Sequence, residues 1–173
     1  DEYGLFAEAS VKGVIQGFRW IPPGEFWMGS PEGEVERLDD EGPRHRVRLS
    51  KGFWLADTAC SQALWQAVMG NNPSFFTGNT SLPVEQVSWD EVDDFLRRLE
   101  TLLPGAAASL PTEAEWEYAC RAGTETPFSF GAEITPELAN YDGNYAYDGG
   151  PTGAYREKTL PVRSFAPNPW GLY

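Results

Sequence analysis

Histidine is almost missing from this chain: His45 is the only one, and cysteine occurs just twice, at Cys60 and Cys120. Iron and copper sites built on imidazole need two or three ring nitrogens, and a structural zinc site needs four nitrogen or sulfur ligands. Neither set is available, and the cysteines lack CxxC spacing. A lone histidine between Arg44 and Arg46 reads as a hydrogen-bonded surface or rim residue. Long apolar runs are missing too, since no stretch approaches the ~20 residues of a membrane span. No basic, apolar, small-residue leader opens the sequence, so a soluble chain is expected, with no membrane partner and the cytoplasm slightly favoured. Positive charge is scarce: 13 Lys and Arg face 26 Asp and Glu, a net charge of −13. Phosphate backbones attract the opposite composition, which argues against a nucleic-acid partner.

What is abundant is glycine (18), proline (14) and aromatic side chains, 14% of the chain with seven tryptophans. Such a chain is rich in turns, with bulky rings supplying the core that short elements cannot. Its 173 residues suit one domain that buries a real core without disulfides or metal. "EFWMGS", "HRVRLS" and "GFWLAD" read as short strands, and "PEGEVERLDDEG", with its six carboxylates, as an exposed loop.

Three helices are expected. "SQALWQAVMG" puts Leu64, Trp65, Val68 and Met69 on one side and ends at Gly70. "SWDEVDDFLRRLETLL" opens on a Ser88–Glu91 capping box and repeats Val92, Phe95, Leu96 and Leu99. "LPTEAEWEYACRAG" has a second capping box at Thr112 and Glu115, and Gly123 offers a left-handed stop. Its Trp116, Ala119 and Cys120 fall at i, i+3 and i+4, so Trp116 and Cys120 are expected to pack. Glu113 and Glu117 suit the helix N-terminal half through the macrodipole. Short strands, about three helices and long ordered loops make an α+β fold.

Both cysteines sit beside or on apolar helical stripes, where free cysteine acts as a small hydrophobe. The tract "ANYDGNYAYDGGPTGAYREKT" is different. Asn140, Asp142, Asn144 and Asp148 are oxygen donors on a glycine-rich loop, a composition that serves calcium or Asx turns equally. Tyr141, Tyr145, Tyr147 and Tyr155, with Trp170 further on, are candidates for a recognition surface, because tyrosine supplies rigid amphipathic contact area.

Taken in order, "FRWIPPGEFWMGS", "EGPRHRV", "GFWLAD", "LPVEQVSWDEV", "LPTEAEWEYACRAGT", "FSFG", "NYDGNY" and "LPVRSFAPNPWGLY" resemble the formylglycine-generating enzyme (sulfatase-modifying factor) family from about residue 17 onward. The resemblance implies an irregular α+β fold often compared with C-type lectins. In active members a copper ion held by two cysteines helps oxidise a sulfatase cysteine to formylglycine. The family's cysteine pair follows the "GLY" motif, and Cys60 and Cys120 do not match it. The resemblance therefore implies a non-catalytic module for a protein or small-molecule ligand that requires no cofactor. Copper enters only in the alternative of an oxidase whose catalytic cysteines lie beyond Tyr173; a structural accessory domain is the third reading. A family calcium site matches Asn140 and the Tyr141 carbonyl, but its acidic ligand aligns with Ala154, so a weakened site is expected. Because "FAPNPWGLY" ends on apolar residues, a C-terminal fragment or second chain is expected to complete the fold.

Overall fold

The computed structural model describes residues 1–173. Strand β1 (Phe6–Val11) turns into β2 (Val14–Ile21) through Lys12 and Gly13, whose φ angles of 48° and 86° are those of a two-residue hairpin turn. Val11 pairs with Val14 and Phe6 with Arg19, antiparallel. The far edge of β2 pairs with β5 (Phe53–Ala56), Trp20 opposite Trp54, giving a three-stranded sheet in the order β1-β2-β5. A separate ribbon joins β3 (Gly24–Met28) to β4 (His45–Leu49), with Phe26 opposite Val47. The acidic loop between them carries a single 3-10 turn at Asp39–Glu41.

The expected helices form α1 (Gln62–Met69), α2 (Trp89–Leu102) and α3 (Glu113–Arg121). Ser61 caps α1 and Gly70 ends it in the left-handed region; both expected capping boxes are present on α2 and α3. Leu64, Trp65 and Val68 of α1 join Val11 and Phe95 in one core cluster, with Trp65 stacked on Phe95 at 5.1 Å. Gln62, almost fully buried, fixes the following loop: its amide donates to the Phe76 carbonyl at 2.8 Å and its oxygen accepts from Asn72 at 2.8 Å.

A second cluster is assembled differently. Ile21, Tyr118 and Ala119 are buried, with Phe26, Leu49, Phe53, Leu55, Trp170 and Leu172 packed around them. The last segment is pinned there by Asn168. Its side-chain amide donates to the Ala119 and Cys120 carbonyls at 2.8 and 3.1 Å, satisfying the otherwise open end of α3. Its oxygen accepts from the Trp170 and Leu172 amides. Asp57, only 2% exposed, anchors the same segment. It accepts from Gln16 and is ion-paired with Arg163, while its carbonyl accepts from the Tyr173 amide at 2.8 Å. Beyond α3 the only helical turn is a 3-10 turn at Tyr147–Gly149, as the glycine- and proline-rich sequence implies. No helix is long and apolar enough to cross a membrane.

Candidate functional site

The loop from Asn140 to Lys158 is closed by its own backbone. Asp142 bridges Tyr155, the Gly153 amide donates to the Gly143 carbonyl at 2.7 Å, and the Asn140 side chain donates to the Lys158 carbonyl at 2.9 Å. A Cβ on Gly143 would lie 2.7 Å from the Ala154 carbonyl, so only glycine permits this approach. Arg156 donates to the Pro136 carbonyl at 2.8 Å and locks the outer limb. The tip is tied down as well. The Tyr147 ring meets Phe128 edge-on at 5.0 Å, Phe128 stacks on Phe130, and the Tyr147 hydroxyl donates to the Val35 carbonyl across in the acidic loop. Burial pushes the Tyr147 phenol up, and the carboxylates of Glu34, Asp148, Glu36 and Glu41 add to that shift.

The structure separates the five candidate aromatic residues. Tyr145 is 75% exposed and Tyr155 48%, both held out on this fixed loop. Tyr141 is half-buried, its hydroxyl donating to the Ile134 carbonyl at 3.3 Å, and Tyr147 is engaged as just described. Trp170 corrects the expectation: it packs edge-on against Tyr118 at 4.9 Å and belongs to the second core cluster. The ring is turned inward by Asn168, which ties the segment to the end of α3. Phe128 and Phe130 were not anticipated; "FSFG" marked them only as part of a family motif.

Few carboxylates stand beside Asn140 to hold calcium. Calcium takes ~6–8 oxygens, usually with carboxylates among them. Asp142, the nearest acid in sequence, already accepts from the backbone and side chain of Asn144 at 3.1 and 2.9 Å, an Asx turn. Position 154 is alanine, and no three His, Cys, Asp or Glu side chains converge anywhere in the chain.

The cysteines are poor nucleophiles. Cys60 lies against the first core cluster and burial pushes its thiol up to about 12. The Cys120 thiol is also raised, chiefly by desolvation and further by Glu117, with Arg121 opposing. Thiolate chemistry requires the reverse. His45 is exposed on β4, its Nδ1 2.8 Å from the Pro43 carbonyl, as a surface residue would be.

Helix α3 corrects a second expectation. Thr112 and Glu115 cap it as read from sequence, but Trp116 is 59% exposed and Cys120 is exposed too. With ~3.6 residues per turn, burying Tyr118, Ala119 and Ala122 carries positions 116 and 120 outward. The left-handed stop falls on Ala122 (φ 47°), one residue before Gly123 (φ 89°). Glu117 does more than favour the helix dipole. It accepts from Arg121 at 2.8 Å and from the Gly29 amide at 2.9 Å, while Arg121 donates to the Gly29 carbonyl, so the pair clamps α3 to the end of β3.

The model of the sulfatase-modifying factor enzyme 1-like domain matches residues 3–173, nearly the whole chain. The chain belongs to that family. The formylglycine-generating enzyme of Thermomonospora curvata is 35% identical over an alignment 219 residues long, gaps included, covering 95% of this chain and 69% of the relative. That of Streptomyces coelicolor is 27% identical, covering 95% and 66%. The chain thus spans about two thirds of the length of these relatives. Among solved structures, variable protein 1 of Treponema denticola is similar with a TM-score of 0.73 at 28% identity, covering 98% of this chain and 73% of that one. PvdO from Pseudomonas aeruginosa gives 0.75 at 27%, covering 91% and 66%. These family likenesses agree with the observed α+β fold.

Proposed function

We propose that this family member acts as a non-catalytic binding module, with the loop around Tyr145 and Tyr155 as its contact surface for a protein or small ligand. The observation that carries this reading is two large rings left in solvent on a loop whose backbone is cross-braced. A loop whose backbone is already fixed loses little freedom on binding, and tyrosine has few rotatable bonds to order. The upward shift of the Cys60 and Cys120 thiols is consistent with this reading, since thiolate chemistry needs the opposite shift.

The names of the relatives favour a second reading, in which the chain supplies the scaffold of a copper-dependent formylglycine-generating oxidase. One pair of measurements separates the two. The purified chain, given copper and a sulfatase-type cysteine peptide in air, should leave the cysteine unchanged by mass spectrometry; conversion to formylglycine would establish the oxidase. Peptide display against the chain should then enrich sequences that bind it and fail on the Tyr145→Ala/Tyr155→Ala double variant. Binders indifferent to both substitutions would remove the tyrosine loop as the contact surface.

A further inference from the structure

A groove of about 590 Å³ runs between α2 and the segment 107–112 that leads into α3. That is within the usual size of a ligand site, ~300–1,000 Å³. Its walls include Trp89, Asp93, Leu96, Arg97, Leu110 and Pro111. Three features of these walls bear on what fits.

Large apolar groups are left in water here. Trp89, the first residue of α2, is 74% exposed and Leu110 41% exposed. The segment opposite is also unoccupied along its main chain. Ala107, Ala108, Ser109 and Leu110 make no backbone–backbone hydrogen bond, although Ala106 before them and Thr112 after them are tied in. The small side chains at 107–109 let another backbone come close. Finally, the charge is one-sided. Helix α2 carries five carboxylates against Arg97 and Arg98. These pair with one another, Arg97 with Asp93 at 2.5 Å and Arg98 with Asp94 at 2.9 Å, which leaves Glu100 as the groove's unpaired carboxylate: one of its oxygens accepts from the Gly105 amide and the other is buried with no partner. Residues 103–112 bring no charge at all.

We propose that this groove receives an extended, basic segment of a partner protein. Its backbone pairs with Ala108–Leu110, an apolar side chain lies against Trp89 and Leu96, and a Lys or Arg faces the Glu100 carboxylate that lines the groove. Strand addition of this kind draws affinity from main-chain hydrogen bonds and selectivity from alternate side chains. The overall charge of −13 works against a second copy of this chain and for a cationic occupant. The groove shares with the tyrosine loop only the general idea of a binding module, and the two stand or fall separately.

The probe is the peptide acetyl-Val-Lys-Leu-Lys-Val-amide, titrated into the isotope-labelled chain and followed by amide and indole NMR shifts. Shifts should concentrate on Ala108, Ser109, Leu110 and the Trp89 indole. They should weaken with salt and with N-methylation of the central Leu amide. Trp89→Ala, at an exposed site that leaves melting unchanged, should weaken binding by roughly tenfold or more, while Tyr145→Ala should leave it intact. Several results would overturn the proposal: no shifts at millimolar peptide, equal binding by the glutamate-for-lysine counterpart, or shifts centred on the acidic loop 31–42. Concentration-dependent shifts of the same amides without peptide would reassign the groove to self-association and also end it.

Discussion

The two core clusters of this chain lie against the same three-stranded sheet but are built by opposite means. The first takes Leu64, Trp65, Val68 and Phe95 from two amphipathic helices and adds Val11 from a strand. The second has Ile21, Tyr118 and Ala119 at its centre and gathers Phe26, Leu49, Phe53, Leu55, Trp170 and Leu172 from strands, a short helix and the final segment. A core of helical stripes can be specified locally. A core assembled from many short elements depends on polar fixings, here Asn168, Asp57 with Arg163, and Glu117 with Arg121.

The largest expected effect falls on the first core. Trp65 is 2% exposed and stacked on Phe95, so Trp65→Ala should cost about 3–5 kcal/mol in denaturant unfolding. Trp170→Ala in the second core should cost less, about 2–3 kcal/mol, because the ring is only partly buried. Both variants should shift one coincident transition seen by fluorescence and circular dichroism. Two separated transitions would mean that the second core opens independently of the first.

Alkali tests the same contrast from another side. The folded-state value for Cys60, pushed to about 12, lies above the ~8.5 of a free thiol. Its contribution is therefore fully present below about pH 8.5 and is lost as pH rises toward 12. Burial likewise raises Tyr118 in the second core, so its contribution starts to fall only above about pH 10. The melting temperature should decline from about pH 9, and Cys60→Ala should flatten the early part of that decline. An unchanged early slope in that variant would dissociate Cys60 from the effect.

This difference between the cores also sets what could be read in advance. Helices α1 and α2 were legible because caps and apolar stripes lie within one turn of each other in sequence. The strands β3, β4 and β5 are legible from short alternating runs, whereas β1 is not, because "FAEASV" has no bulky apolar residue between Phe6 and Val11. The buried Asp57 was invisible for a different reason: its partners Gln16 and Arg163 are 41 and 106 residues away. At the candidate site the sequence groups Tyr141, Tyr145, Tyr147 and Tyr155 alike, and only the fold separates the exposed Tyr145 and Tyr155 from the other two. The inward turn of Trp170 is not legible either, since it depends on Asn168 meeting the end of α3.

The smallest effect is expected where the sequence pointed most strongly to burial. Trp116 sits at i, i+3, i+4 with Ala119 and Cys120, a pattern that would normally place a tryptophan in the core and make its removal severe. In the folded chain it is 59% exposed, on the side of α3 turned away from Tyr118 and Ala122. Trp116→Ala should therefore change stability by no more than about 1 kcal/mol, and alanine's better helix propensity offsets part of that. Thr112→Ala, which removes the cap one turn earlier, should cost about 1 kcal/mol and so match or exceed it. Measured side by side with Trp65→Ala in the same denaturant series, the two tryptophans should differ by several-fold in cost. A Trp116→Ala penalty as large as that of Trp65→Ala would mean that the exposed flank of α3 is covered in solution, and would restore the stripe read from the sequence.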